Sequence, residues 1–371
     1  MTELSISQRM RSLRKGEGGG EIGGIAKYQQ YIAFKVLFLI GCAIALFFIA
    51  VYSIMVGAAQ IPFNDVINAI IGKDSGLYGN IIWNIRVPRV IMGMVAGASL
   101  ATAGAVMQSI LRNPLASPFT LGLSQSAAFG ASFAIVVLNA GAMQTSATGS
   151  VMVSNPYLVT TFAFLGCMMG MVIILVLTIL TRVTPEAMVL AGVAMGSMFS
   201  AGQTAMQYFA NEVQLASLTY WTFGDLSRSN WTNIPVIVGV FVPVMLFFML
   251  SRWHYNAIDA GEDTAKSLGV NVSRVRIAGM VCASLLSAVV VSFMGIIGFI
   301  GLLAPHIVRR IIGGDNRFLI PGSALVGAML LSGTDTIART IVAPLVLPVG
   351  VITSLMGGPL FLYLLVKGYR R

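Results

Sequence analysis

Ten apolar runs follow one another along this chain, and no other property limits its fold so sharply. They fall at about 36–57, 89–111, 119–139, 157–181, 186–209, 234–251, 277–297, 298–312, 319–336 and 347–366. Most have the length a helix needs to cross a bilayer, about 20 residues. The eighth is short. Of the 371 residues, 57% are hydrophobic and 10% charged, where soluble domains carry roughly 25% charged residues. A mean hydropathy of +0.86 is too high to hide in one soluble core, so the solvent is lipid. The reading is an all-α polytopic membrane protein of about ten transmembrane helices.

Net charge is +10. Basic residues collect in cytoplasmic loops of membrane proteins, and that accounts for the excess better than nucleic acid does. With the N-terminus inside, 18 of the 23 Lys and Arg residues fall on the cytoplasmic side and five (Lys73, Arg86, Arg89, Arg228, Arg339) outside. The bias predicts an N-in, C-in protein of the cytoplasmic (inner) membrane. The first apolar run is too long for a signal-peptide core. Residues 1–34, with KGEGGGEIGG, read as a flexible cytoplasmic tail, and residues 35–371 as one membrane domain. GMVAGASL (Gly93–Leu100) and GMVCASLL (Gly279–Leu286) resemble each other and run in opposite directions through the membrane, the pattern of an inverted repeat.

Several chemistries are missing. There is no GxxxxGK[ST] phosphate loop, no HExxH and no CxxC. His254 and His306 lie 52 positions apart, and Cys42, Cys167 and Cys282 each sit in an apolar run. No catalytic residue, resident metal or cofactor is expected. The thirteen acids fall in loops or near span ends, whereas a proton- or sodium-driven carrier usually keeps a coupling site near the midplane. Energy therefore enters from elsewhere. An ion-coupled secondary transporter is the alternative, and the acids count against it.

One stretch breaks the apolar pattern. AGEDTAKSLGVNVSRVR (Ala260–Arg276) is charged and helical in composition, and Asp259, Glu262 and Asp263 fall within five residues. A short cytoplasmic helix pair there would give an external motor something to grip.

RVPRVIMGMVAGASLATAGAVMQSILRNPLASPFTLGLSQSAAFGA (Arg86–Ala131), GEDTAKSLGV (Gly261–Val270), GFIGLLAPHIVRRIIGGDNRFLIPGSALVGA (Gly298–Ala328), DTIART (Asp335–Thr340) and LPVGVITSLMGGPLFLYLL (Leu347–Leu365) closely resemble the signature blocks of the FecCD family. These are permease subunits of binding-protein-dependent ABC importers for iron chelates, haem and vitamin B12. The resemblance implies a type II ABC importer permease fold of ten spans. It implies a second permease copy or close paralogue, two ABC ATPase subunits below, and an extracytoplasmic substrate-binding protein above. It maps the cytoplasmic coupling helices onto about 256–272, with Asp259, Gly261, Glu262, Asp263, Ala265, Leu268, Gly269 and Val270 expected in contact with the ATPase or shaping that contact. Arg86, Arg89 and Arg339 are expected at the outer mouth, as docking groups for carboxylates of the binding protein or as interface anchors. Asn113–Pro114 and Pro118 are expected in an irregular turn, and Gly357, Gly358 and Pro359 at a kink. The implied cargo is an iron–siderophore first, then cobalamin or haem.

Overall fold

The structure is a computed structural model that describes residues 6–57, 61–72, 76–140, 143–145, 151–153, 155–180 and 184–369. The ten apolar runs become ten helices: α1 (Ile6–Met55), α4 (Val87–Ile110), α5 (Leu123–Val136), α6 (Pro156–Leu180), α7 (Pro185–Phe209), α9 (Asn233–Leu250), α12 (Val272–Met294), α13 (Ile300–Ile312), α14 (Asn316–Thr340) and α15 (Val349–Tyr369). Shorter helices fill the connections: α2 (Phe63–Ile70), α3 (Leu77–Ile81), α8 (Glu212–Thr222), α10 (Arg252–Asp259) and α11 (Glu262–Ser267). A small antiparallel hairpin pairs β1 (Met143–Thr145) with β2 (Val151–Val153).

Among the described residues, six helical stretches are long and apolar enough to cross a bilayer by themselves: Tyr28–Met55, Leu77–Ile110, Pro156–Leu180, Asn233–Leu250, Val272–Met294 and Asn316–Thr340. The 119–139 and 298–312 runs differ from the full spans expected. Each opens as non-helical or 3-10 backbone and becomes helical only for its remainder, in α5 and α13. At 1.5 Å per residue, helices of 13 or 14 residues reach about 20 Å, two-thirds of the hydrocarbon core. α1 differs in the other direction. It begins at Ile6, so the segment expected as a flexible tail continues the first span as helix. Adding a residue to an existing helix needs no new nucleus.

α4 forms the centre of the bundle and is buried along most of its length. Its small residues permit this. A Cβ on Gly97 would strike the backbone of Gly327 on α14, and one on Gly104 would strike the backbone of Gly301 on α13. Small-residue contacts of this kind let helices pack in lipid, where no hydrophobic drive between helices exists. The main core cluster gathers Met92, Leu100, Leu226, Val290, Ile300 and Leu331 around this helix.

The two matching segments of the inverted repeat lie on α4 and α12, which run antiparallel. Gly279, early in α12, packs on Val106 and Ile110 at the end of α4. At the other end, Gly93 packs on Leu226, whose neighbour Asp225 donates its N–H to the Met294 carbonyl at 2.8 Å. One face of the bundle therefore carries α10 and α11. The opposite face carries Arg86 and a stacked Trp83–Trp231 pair with centroids 6.4 Å apart. The Trp231 indole N–H donates to the Trp83 carbonyl at 2.8 Å.

Candidate functional site

The segment between α9 and α12 folds as a compact knob. α10 ends at Asp259, Gly261 turns the chain at φ +127°, and α11 follows. Gly269 at φ +80° turns it again. Asn271 then caps α12, its Oδ1 accepting from the Arg274 N–H at 3.0 Å. Ala257, Ile258, Ala265 and Val272 are buried against one another, with Val270 and Val275 packed at the edge. This gives the knob an apolar core of its own.

The eight expected coupling residues divide by direction. Asp263, Leu268 and Gly269 are exposed, and Leu268 presents 68% of its surface to solvent. Leu268 on a polar turn and Trp253 on α10, 56% exposed, are the large apolar groups the knob offers outward. Ala265 faces the knob's core, and Gly261 and Val270 are half-buried. Asp259 and Glu262 point back to the bundle. Asp259 Oδ2 accepts from Ser109 Oγ on α4 at 3.0 Å and from Asn316 Nδ2 on α14 at 2.8 Å. Glu262 is ion-paired with Arg276 on α12, whose Nε donates to the Ile110 carbonyl at the end of α4 at 2.9 Å. The knob is thus tied to three helices by two carboxylates.

Their environments push the two acids apart. Burial drives the Asp259 carboxyl up, and the nearby Arg309, the Asn316 and Ser109 hydrogen bonds and Arg112 only partly offset it. The hydrogen bond from Arg276 holds Glu262 below its ordinary range. Beside the knob a groove of about 760 Å³ opens between α11, the end of α4 and the start of α7, lined by Arg112, Glu186, Glu262, Lys266 and Arg276 among others. Its charges are mixed in sign, which suits a polar protein surface.

Asn256 falls at the edge of the expected coupling segment, whereas Ser109, Asp315 and Asn316 were not legible as members of this site. Asn256 accepts from the Asn316 backbone N–H at 2.8 Å and donates to Asp315 at 3.0 Å. Asp315 caps α14. Burial pushes its carboxyl up, but hydrogen bonds from Arg317 and Asn256 outweigh this and hold it low. The DN pair of GGDNRF was the available signal, since Asp and Asn favour helix starts.

At the opposite face the structure brings Arg86, Arg89 and Arg339 together, but turned inward. Each is about 5% exposed or less. Arg89 holds Asp335 on α14 with Nε at 2.9 Å and Nη2 at 2.8 Å. Arg339 Nε lies 3.0 Å from the other oxygen of Asp335. Arg86 Nη1 donates to the Ile54 and Met55 carbonyls, both at 2.8 Å, and Arg339 donates to the Val56 and Ser53 carbonyls at 3.0 and 3.1 Å. The last carbonyls of a helix lack intrahelical partners, and cations there also meet the negative end of its dipole. These arginines terminate α1 and join it to α4 and α14. Sequence reasoning missed Asp335, the group around which the cluster forms.

Among the described residues no group of His, Cys, Asp or Glu could hold a metal ion. The three cysteines are free thiols, two of them buried.

Comparison with known proteins places this architecture. The FecCD transport family model matches residues 26–367. A Methanocaldococcus jannaschii chain, assigned by inference as an ABC transporter permease protein, is 55% identical over 345 residues, covering 93% of this chain and 98% of its own. The hemin transport system permease protein of Yersinia pestis is 35% identical over 324 residues, 87% of this chain and 93% of its own. Among solved structures, an inward-facing conformation of a transporter assigned to the metal-chelate ABC type superposes with a TM-score of 0.76 at 27% identity, covering 89% of this chain and 98% of that one.

Proposed function

Because the chain belongs to the FecCD transport family, we propose that it is the membrane-spanning permease subunit of an ABC importer for a metal chelate. Two copies, or one copy and a close paralogue, form the pathway. Two ABC ATPase subunits bind the α10–α11 face, which is cytoplasmic together with both termini, and an extracytoplasmic binding protein delivers cargo to the other side. The chain itself hydrolyses nothing. The cargo class, iron–siderophore first and then haem or cobalamin, is supported by the hemin permease and the metal-chelate transporter to which the chain is similar.

The observation that carries this reading is the knob. It has an outward face of Asp263, Leu268 and Gly269 and inward ties from Asp259 and Glu262 to α4, α12 and α14. An element grips a motor on one side and the bundle on the other when it transmits force. In proteoliposomes, the chain assembled with its ATPase and binding protein should accumulate ferric siderophore, haem or cobalamin only when ATP is supplied inside the ATPase compartment. Uptake that follows a proton gradient and ignores ATP would overturn the assignment.

For Arg86, Arg89 and Arg339 the geometry favours bracing over docking. Their charges are spent on Asp335 and on the α1 carbonyls. The arginine cluster then fixes the outer mouth against which a binding protein rests.

A further inference from the structure

α5 and α13 share more than shortness. Each is entered through a residue in the left-handed region: Gly122 at φ +76° before α5, and Phe299 at φ +66° before α13. Each follows one of the antiparallel helices of the inverted repeat, α5 after α4 and α13 after α12. They are equivalent half-helices of the two repeats. For Phe299 the left-handed conformation is costly, and such outliers cluster where a site demands them.

Both half-helices begin deep between the two faces. A Cβ on Gly301 would meet the Leu100 carbonyl at 2.9 Å, and Leu100 is near the middle of α4. A Cβ on Gly122 would meet the Gly192 carbonyl at 2.8 Å, two turns into α7. Non-helical backbone at such depth is tolerated only when buried in protein or lining a cavity. Here a cavity of about 300 Å³ lies between the two breaks, and Ser117, Thr120, Ser124, Gln125 and Phe299 help to line it.

The cavity lining holds no charged side chain, yet two helix N-termini meet there. The Ile300 and Leu302 N–H groups of α13 already donate to the Gly298 and Phe299 carbonyls at 2.9 and 3.0 Å, so what the two helix starts present is chiefly the positive ends of their dipoles. Ser287, from the middle of α12, also lines the cavity. It is 1% exposed, and its hydroxyl makes no hydrogen bond with the described residues. A buried hydroxyl left without a partner costs free energy unless something completes it. An anionic oxygen would accept from this hydroxyl while facing the positive ends of two helices.

We propose that this cavity is a mid-depth subsite for an anionic oxygen group, a carboxylate at the edge of the chelate in transit. It rests on the importer reading above and adds to it a substrate class: cargo bearing peripheral carboxylates, in preference to neutral chelates.

The test uses the full chain assembled with its partner subunits in nanodiscs, with native Cys282 replaced by Ala. Ser287→Cys and Ser124→Cys are each reacted with an anionic and a cationic methanethiosulfonate of equal size. A cysteine on the exposed turn, Ser267→Cys, supplies the reference ratio. The anionic reagent should be favoured over that reference by about tenfold at both cavity positions. Ferric citrate and haem should slow the reaction at least about fivefold, while haem dimethyl ester and cobalamin should not. Equal or cation-favoured rates, or no reaction at either position, would overturn the anion site. Protection by inorganic phosphate but by neither carboxylate chelate would overturn the cargo assignment. If the anion preference holds while the assembled transporter shows no ATP-driven uptake, the importer reading is the part that fails.

Discussion

Asp259 and Asn316 meet at 2.8 Å, and through that contact the last residue of α10 is bonded to the first residue of α14. The same carboxylate oxygen accepts from Ser109, one residue before the end of α4. Asp259→Ala removes the acceptor of a buried Asn316 amide N–H and leaves the Ser109 hydroxyl only the longer contact to Asn316 Oδ1 at 3.2 Å; a buried donor left unsatisfied costs about 1 kcal/mol or more. The expected result is a lower unfolding temperature in detergent and more ATP hydrolysed per molecule transported. Asp259→Asn keeps one carbonyl oxygen and removes a charge that burial disfavours, so it should stay closer to the parent protein in both measurements.

The two inward carboxylates respond to acid in opposite directions. The folded-state pKa of Glu262 is lowered, so its pairing with Arg276 stabilises the knob above the ordinary glutamate range and is lost as pH falls through the lowered value. The folded-state pKa of Asp259 is raised. Its contribution is therefore fully present below the ordinary aspartate value and is lost as pH rises through the raised one. Amide exchange across α11, followed from about pH 6 down to about pH 3, should show protection falling at the acid end. Glu262→Gln should remove that acid-dependent fall and begin from a lower protection at pH 6. Unchanged pH dependence in that variant would sink the assignment.

Asp335 is 2% exposed and faces two guanidiniums. Removing one partner of a buried ion cluster leaves uncompensated charge and typically costs about 3–5 kcal/mol. Asp335→Ala should greatly reduce the yield of folded protein. Replacing Arg86, Arg89 and Arg339 together by Glu should do the same, because four carboxylates would crowd the end of α1. Normal folding of that triple variant with loss only of binding-protein docking would show that the arginines serve the partner and not the bundle.

Gly269→Val tests the turn alone. The position has φ +80°, and a Cβ there would have no atom within 4 Å, so the cost is backbone strain of about 1 kcal/mol or more rather than a clash. The bundle should remain stable. Affinity for the ATPase subunit should fall, or hydrolysis should run without transport, as measured by pull-down and by coupled uptake.

Much of this fold was legible because lipid enforces a long apolar run for each crossing. The run gives position and number without any knowledge of packing, and it located α6, α9 and α12 to within a few residues. It overstated α5 and α13 because apolarity persists through the 3-10 turn before Gly122 and the non-helical stretch before Phe299, where protein surrounds the backbone and composition carries no mark of the change. The knob was legible as a charged interruption. The inward turn of Asp259 and Glu262 was not, since donors such as Ser109 and Asn316 come from distant parts of the chain. The arginine cluster failed for a related reason. Charge at a span mouth reads as exposed until Asp335, 246 positions from Arg89, is known to lie beside it.

α4 is held at both extremities, by Arg276 at Ile110 and by Asp335 at Arg89, and it crosses its neighbours closely at Gly97 and Gly104. In mechanical terms it is a rigid lever with its fulcrum near mid-length. Its 24 residues span about 36 Å. A tilt of about 5° around that crossing displaces each end by about 1.5 Å, in opposite directions. That is half the length of the hydrogen bonds that hold those ends. Under the importer reading proposed above, a stroke applied to the knob would arrive at the opposite face reversed in sign and undiminished in size, with the cavity beside Leu100 at the pivot, where displacement is least.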